Sequence, residues 1–440
     1  MTPTPPRPHA ADPAAGTPPE PPPGPPAATP AAPPGSPAPA APPGSPTPTP
    51  TPAPPPAPPA PPAPPAPRGP ASSHAPSPTP TSAPVVALAE SPVQVLNVLE
   101  WRYAHPGGGA GPLTLVVLPP TDPMSRGQLR RMAQLARDEG VTVRWHDARG
   151  GAARRGGPAR TLRDLAPLLR GPDGAGHVLV GDPFSRYVQL LLGVFPQRRV
   201  TVVDDGTATM EYAAQLSRGE RLVRWHRRGS LGPRELALAP LTALARRRLA
   251  PGRRRTVEIF TALPVEAPEG TVVSGNRFAW TRARFGPPRL TAGADLVGTS
   301  LVETGVVDPD RYVEAVAVLT AAHGVTRYFA HRRESVTKLH RIATTTGLEI
   351  VRPELPLELI ARRGPLGRTV LSFPSTVVHT LPAALAGMGV TITVCDVAPE
   401  WLRAGAPPRA RGFLAAVTET ARTAHGLSLT GARLRGALDC

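Results

Sequence analysis

The 440-residue sequence is poor in cysteine, lysine, aromatic side chains and long apolar runs, and each shortage narrows what the chain can be. Its two cysteines, Cys395 and Cys440, are too few for a disulfide framework or a metal quartet. Cys395 closes the apolar run Val390–Cys395 and is expected as a buried, inert thiol, which fits a reducing cytoplasm. No apolar run reaches about 18 residues, so no transmembrane helix is expected. The first residues lack the charged-then-apolar pattern of a secretory leader, and a cytoplasmic location is expected. Aromatic residues make up 4% of the chain and no nucleic-acid-binding motif accompanies them, so a nucleic-acid partner is not expected despite a net charge of +17. Lys338 is the sole lysine, so nearly all cationic charge is arginine.

Proline is abundant and unevenly placed. Residues 1–84 hold 38 of the 65 prolines among Ala, Gly, Ser and Thr, with almost no aliphatic side chains. Such a segment cannot bury enough apolar surface to offset its ordering entropy, and it is expected as a disordered, partly polyproline-II spacer. A proline-rich ligand for a partner domain is the alternative. Its four charges, Arg7, Arg68, Asp12 and Glu20, cancel, so the whole +17 belongs to residues 85–440, a length sufficient for two domains.

From Val85 the pattern alternates strand and helix. Apolar strands are predicted at 85–89, 113–118, 141–145, 177–180 and 200–203, with Ser91-Pro92 and Asp182-Pro183 as helix starts. A strand at 256–263 and a polar stretch to about 292 read as a crossover, after which the pattern restarts. Strands are then predicted at 294–298, 326–330, 348–352, 368–373 and 390–395. The prediction is an α/β protein with two Rossmann-like domains, 85–265 and 266–398, facing a cleft. Residues 399–440 are expected to be a helical segment, with an amphipathic helix near 411–424 packing back across the halves.

Three polar segments follow predicted strands, where a parallel sheet forms its ligand crevice. Asp204-Asp205-Gly206 offers two acids, of which at most one enters the cleft while the other orients it or caps a helix. A half-buried carboxylate there suits the deprotonation of a hydroxyl, and Gly206 allows a sharp turn or a close ligand. His331, followed by Arg332 and Arg333, suits a hydrogen bond to a leaving phosphate. Ser375 and Thr376 open a helix, where hydroxyls and free N–H groups bind phosphate. Each segment also has a plain structural use, as a turn, a surface histidine or an ordinary cap.

These motifs in this order resemble those of the bacterial lipooligosaccharide sialyltransferases and polysialyltransferases. That family carries an acidic-acidic-Gly motif, a later His-Pro and a still later Ser/Thr pair. Similarity extends to Ala89–Leu96 and Val297–Val306, and covers about residues 85–398. The resemblance implies a GT-B fold and metal-independent, inverting transfer of a sialic-acid-like sugar from a CMP donor to a glycan or glycolipid acceptor, with no cofactor. It implies Asp204 as general base with Asp205 beside it, His331 assisting departure of CMP, and Ser375 and Thr376 holding the phosphate. Gly206, Arg332 and Arg333 complete the donor side, and Arg332 departs from the family's proline.

No metal site is expected. Asp308-Pro309-Asp310 reads as a helix start, and Gly107–Gly109 reads as a connection rather than a phosphate loop. The arginines at 221–228 and 246–255 suit peripheral contact with an anionic membrane or an anionic acceptor, or simply a solvated face. Two other readings stay open: a GT-B enzyme using a different nucleotide sugar, and a non-catalytic binding protein of the same fold.

Overall fold

The computed structural model describes residues 84–106, 111–150, 157–170, 176–224, 239–406 and 408–430. The proline-rich segment up to residue 83, Gly107–Gly109 and Cys440 lie outside the described residues.

Two all-parallel sheets organise the chain. The first contains β1 (Val85–Ala89), β2 (Leu113–Val117), β3 (Thr142–Trp145), β4 (His177–Val180), β5 (Arg199–Val203), β6 (Thr256–Thr261) and β7 (Thr271–Gly275). Its order is β3-β2-β1-β4-β5-β6-β7. The second contains β8 (Leu290–Val297), β9 (Val325–Phe329), β10 (Glu349–Val351), β11 (Leu366–Ser372), β12 (Thr391–Cys395) and β13 (Ser428–Thr430), in the order β10-β9-β8-β11-β12-β13. Each order runs outward, returns to its first strand and then runs the other way, which is the Rossmann arrangement. The reversal falls between β1 and β4 in one sheet and between β8 and β11 in the other. The protein is an α/β molecule of two Rossmann-like halves, the GT-B-like plan expected from the sequence.

The central strands are apolar on both faces because helices cover both faces. In β1 the alternation is direct: Val86 and Leu88 join one apolar cluster while Val85, Ala87 and Ala89 join the other. The helices of the first half are α1 (Pro92–Ala104), α2 (Pro123–Asp138), α3 (Gly157–Arg170), α4 (Arg186–Val194), α5 (Thr207–Ser217), α6 (Ala239–Leu249) and α7 (Ala279–Arg284). Ser91 caps α1 as its position predicts, accepting from the Gln94 N–H, with Pro92 in the first turn. Asp182-Pro183 does not open a helix. Asp182 Oδ1 instead accepts from Phe184 N at 2.9 Å to close a turn, and Ser185 caps α4.

The polar stretch expected as a crossover contains structure of the first half. Thr271–Gly275 pairs along β6 as a seventh strand. Helix α7 is held by Glu100 of α1, whose buried carboxylate accepts from Trp280 N and Thr281 N at 2.9 and 2.8 Å. A carboxylate from one helix thus satisfies the open N–H groups of another.

In the second half lie α8 (Pro309–His323), α9 (Val336–Thr346), α10 (Leu357–Arg363), α11 (Val377–Ala384) and α12 (Pro408–His425). Asp308 caps α8 through the N–H groups of Asp310 and Arg311, so Asp308-Pro309-Asp310 is a helix start. The C-terminal helix does not bridge the halves. Val417 and Ala421 of α12 pack on Val378 and Val394, and β13 then extends the second sheet beside β12. Its apolar stripe is consumed by the sheet it follows in sequence.

The halves are joined by specific contacts. Leu355 and Leu359 enter an apolar cluster of the first half, Gln128 donates to Pro353 O at 2.7 Å, and Arg362 donates to Arg282 O and Phe285 O at 3.1 and 2.6 Å.

Candidate active site

Asp204 and Asp205 follow β5 and have opposite surroundings, as successive strand-end residues should. Asp204 is 3% exposed. Its Oδ1 accepts from Gly206 N at 2.9 Å, and its Oδ2 accepts from Thr261 Oγ1 at 2.8 Å and Ala262 N at 3.3 Å. Its carbonyl accepts from Asn97 Nδ2 at 2.8 Å. Burial raises its pKa to about 6 although these hydrogen bonds oppose the shift. Asp204 is a brace between the ends of β5 and β6.

The Asp205 side chain keeps 15% of its surface and, from the end of β5, meets groups that follow β1 and β4. Ser91 Oγ, at the end of β1, donates to Oδ1 at 3.3 Å. Arg224 Nη2 stands 3.7 Å from Oδ2 and 2.7 Å from Oδ2 of Asp182, which follows β4. Burial and the neighbouring Asp182 charge push the Asp205 carboxyl up to about 7, against the pull of Arg224 and Arg332. A carboxylate so poised takes a proton readily near neutral pH. The geometry therefore reverses the order that the resemblance implies: the first acid holds the turn, and the second meets the cleft.

Gly206 adopts φ +66°, ψ −129°, a conformation reserved for glycine. A Cβ there would lie 3.1 Å from Thr376 Oγ1, so the acid turn of one half touches the hydroxyl pair of the other. Thr376 makes no side-chain capping bond to α11. Among the described residues, the Ser375 hydroxyl meets protein oxygen at 3.5 Å, at Ser372 Oγ. Both hydroxyls thus stand at an eight-residue helix start without acting as caps.

His331 lies just past β9 and is half-buried. Its Nδ1 accepts from Arg333 N at 3.2 Å, which assigns the ring proton to Nε2. Burial, with Arg332, Arg333 and Lys338 nearby, lowers its pKa to about 4. At neutral pH it is an uncharged imidazole with one N–H to donate. Arg332 is also half-buried, and burial lowers its pKa while the charges of Asp205 and Asp122 raise it. This places the histidine loop of the second half within the field of acids from the first.

Beneath that loop is a polar network. Glu334 accepts from His331 N and from the Tyr328 hydroxyl, both at 2.5 Å, and pairs with Lys338 at 2.7 Å. Lys338 also donates to Thr299 O at 2.8 Å and to Glu303 at 3.2 Å. A Cβ at Gly298 would run into Tyr328 and Glu334, so this glycine admits the network. The sole lysine serves as an internal strut.

No protein-family model matches the chain, and no curated protein matches it. Similar solved structures exist. One is described as a UDP-N-acetylglucosamine 2-epimerase from Listeria monocytogenes, at 13% identity over 71% of this chain and 79% of that one, TM-score 0.43. Another is an α/β-galactoside α-2,3-sialyltransferase from Photobacterium phosphoreum, at 10% identity over 79% and 98%, TM-score 0.42. A third is a sialyltransferase from Photobacterium damsela, at 9% identity over 79% and 81%, TM-score 0.38. These are distant likenesses; what the site can do is read from its own residues.

The structure places Gly206 against Thr376 and Arg332 within the charge field of Asp205, with His331 and Ser375 adjacent in sequence to two of them. Arg333 is exposed and its N–H orients the imidazole. Sequence reasoning misses Ser91 and Asp182 as neighbours of Asp205 because both read as helix openers. The signal available is that each follows a strand, as Asp205 does. Arg224 reads only as one of a run of arginines, and nothing local singles it out.

Proposed function

We propose that this chain is a glycosyltransferase that moves a sialic-acid-like sugar from a CMP donor to a glycan acceptor, with inversion and without a metal. The observation that carries the reading is the Gly206–Thr376 contact. It joins an acid poised near neutrality to a phosphate-type seat on the opposite half.

In this reading the donor phosphate rests on the Ser375 and Thr376 hydroxyls at the N-terminal end of α11. Arg332 and Arg333 add positive charge. The acceptor hydroxyl gives its proton to Asp205 as its oxygen bonds to the anomeric carbon. The bond from that carbon to the phosphate oxygen breaks, leaving the electron pair on CMP. His331 Nε2–H donates a hydrogen bond to the departing phosphate. A single displacement, with the acceptor oxygen attacking in line and opposite the departing phosphate, inverts the centre. Asp204 keeps Asp205 in place.

The donor identity rests on the motif resemblance, and Arg332, where the family has proline, favours a second reading in which another nucleotide sugar is used. Titration calorimetry of the full chain with CMP, UMP and GDP separates the two. CMP-selective binding, weakened in Ser375→Ala by about 1–2 kcal/mol for a hydrogen bond to charge, is the expected result. Selective UMP or GDP binding replaces the donor, and absence of binding to all three overturns the enzyme reading.

A further inference from the structure

The arginine clusters seen in sequence do not stay together. Arg224 is held at the finishing ends of the strands by Asp182, whereas other arginines gather at the starting ends of β5 and β6. Arg198 and Arg199 stand at the start of β5, Arg253 and Arg254 before β6, and Arg247 and Arg248 close α6. Arg255 ties these segments by donating to Arg247 O at 2.5 Å, Ala250 O at 3.2 Å and Gln197 O at 3.4 Å. Arg170, ending α3, lies over the Phe195 ring at 5.5 Å.

Among the described residues, no carboxylate lies within ion-pair distance of Arg198, Arg199, Arg247, Arg248, Arg253 or Arg254. Arginines in the last turn of α6 favour its carbonyl end, but that accounts for neither Arg198 and Arg199 nor Arg253 and Arg254. The same end exposes apolar surface. Val194 at the end of α4 is 48% exposed and Leu244 of α6 is 37% exposed. They adjoin, since a Cβ on Gly193 would meet Leu241 at 3.0 Å and Leu244 at 3.7 Å.

We propose that this end of the first half seats the protein on an anionic lipid surface, with Val194 and Leu244 entering the interface while the surrounding arginines meet lipid phosphates. Charge complementarity selects an anionic partner, and the exposed aliphatic pair selects one with an apolar phase. A nucleic acid supplies phosphates but no such phase, and among the described residues no exposed aromatic side chain accompanies this patch for base stacking. Among the described residues no helix is long and apolar enough to cross a membrane, so the contact is peripheral. The five residues of β5 separate Arg199 from Asp204 by about 16 Å at strand rise, so seating leaves the cleft free.

The test is sedimentation of the full chain with vesicles of phosphatidylcholine alone or mixed in equal parts with phosphatidylglycerol. Binding is expected only to the mixed vesicles and should weaken with salt. At about fivefold per arginine, Arg247→Glu/Arg253→Glu/Arg254→Glu should lower partitioning by about 100-fold or more. Val194→Gln/Leu244→Gln should lower it without changing net charge. A control, Arg368→Glu/Arg403→Glu/Arg411→Glu, takes equal charge from exposed sites of the second half and should change it far less. Unchanged far-ultraviolet circular dichroism establishes that each variant is folded. Equal binding to pure phosphatidylcholine, no binding to either vesicle, or an equal loss in the control overturns the proposal. So does tighter arginine-dependent binding to a DNA duplex at the same salt, which would make the patch a nucleic-acid surface.

Discussion

Gly206 and Thr376 come from different halves, and a Cβ at position 206 would lie 3.1 Å from the Thr376 hydroxyl oxygen and 3.3 Å from its methyl carbon. Gly206→Ala therefore meets two penalties, a backbone conformation closed to alanine and a crowded cleft. A loss of about 1–3 kcal/mol in urea unfolding is expected from the first. Adding Thr376→Ala should relieve only the crowding, so the double variant should be more stable than the sum of the singles. Strict additivity would show that the contact carries no energy.

The two acids should separate cleanly. In Asp204→Asn an amide N–H must face one of the donors now bonded to the carboxylate, so stability should fall by about 1–3 kcal/mol. Asp205→Asn should unfold no more easily than the parent, because it also removes repulsion with Asp182. Its turnover should nevertheless fall by at least about 100-fold, the lower range for a lost general base. Near-parental turnover in folded Asp205→Asn would remove it from the base role.

Turnover should rise with pH through about 7, the value to which burial and Asp182 lift Asp205. Asp182→Asn removes the second of those causes and should move the limb to lower pH. Stability carries the opposite sign. Between 3.8 and about 7 the folded protein holds a proton on Asp205 that the unfolded chain has released, so this group's contribution falls as pH rises. For His331, whose pKa drops from 6.5 to about 4, the contribution rises with pH across that window. Melting temperature against pH for the parent and Asp205→Asn isolates the first effect.

Lys338→Met should leave Glu334 buried without its cation, at a cost of about 3–5 kcal/mol for breaking a buried pair. Lys338→Met/Glu334→Gln should recover part of it, because the remaining amide is neutral. Because Glu334 accepts from His331 N, the single variant should also shift the imidazole resonances of His331. An unmoved His331 spectrum with lost stability would mean that the network supports the fold but not the site.

Much of the fold is legible in the amino-acid sequence. Alternating elements predict two Rossmann-like halves because apolar strands separated by amphipathic helices can bury their surface only in a covered parallel sheet. The three polar segments are legible because each follows a strand. Thr271–Gly275 is not: its Val272 and Val273 lie exposed on an edge strand, so it lacks the apolar signature of its neighbours. The helix Pro408–His425 is visible as amphipathic, but an apolar stripe does not name the surface it covers.

The sequence alone determined which residue types stand at strand ends and that Asp204 and Asp205 must differ, since strand periodicity sends neighbours to opposite sides. Tertiary structure decided which acid meets the cleft. That choice depends on β5 lying beside both β4 and β6: Thr261, after a long intervening segment, claims Asp204, while Asp182 and Arg224 surround Asp205. It also parted Arg224 from the arginines at the strand starts, because chain neighbours can be sent to opposite ends of a sheet by one strand's length. Local pattern carries periodicity; only long-range packing carries adjacency, and a site is made of adjacency.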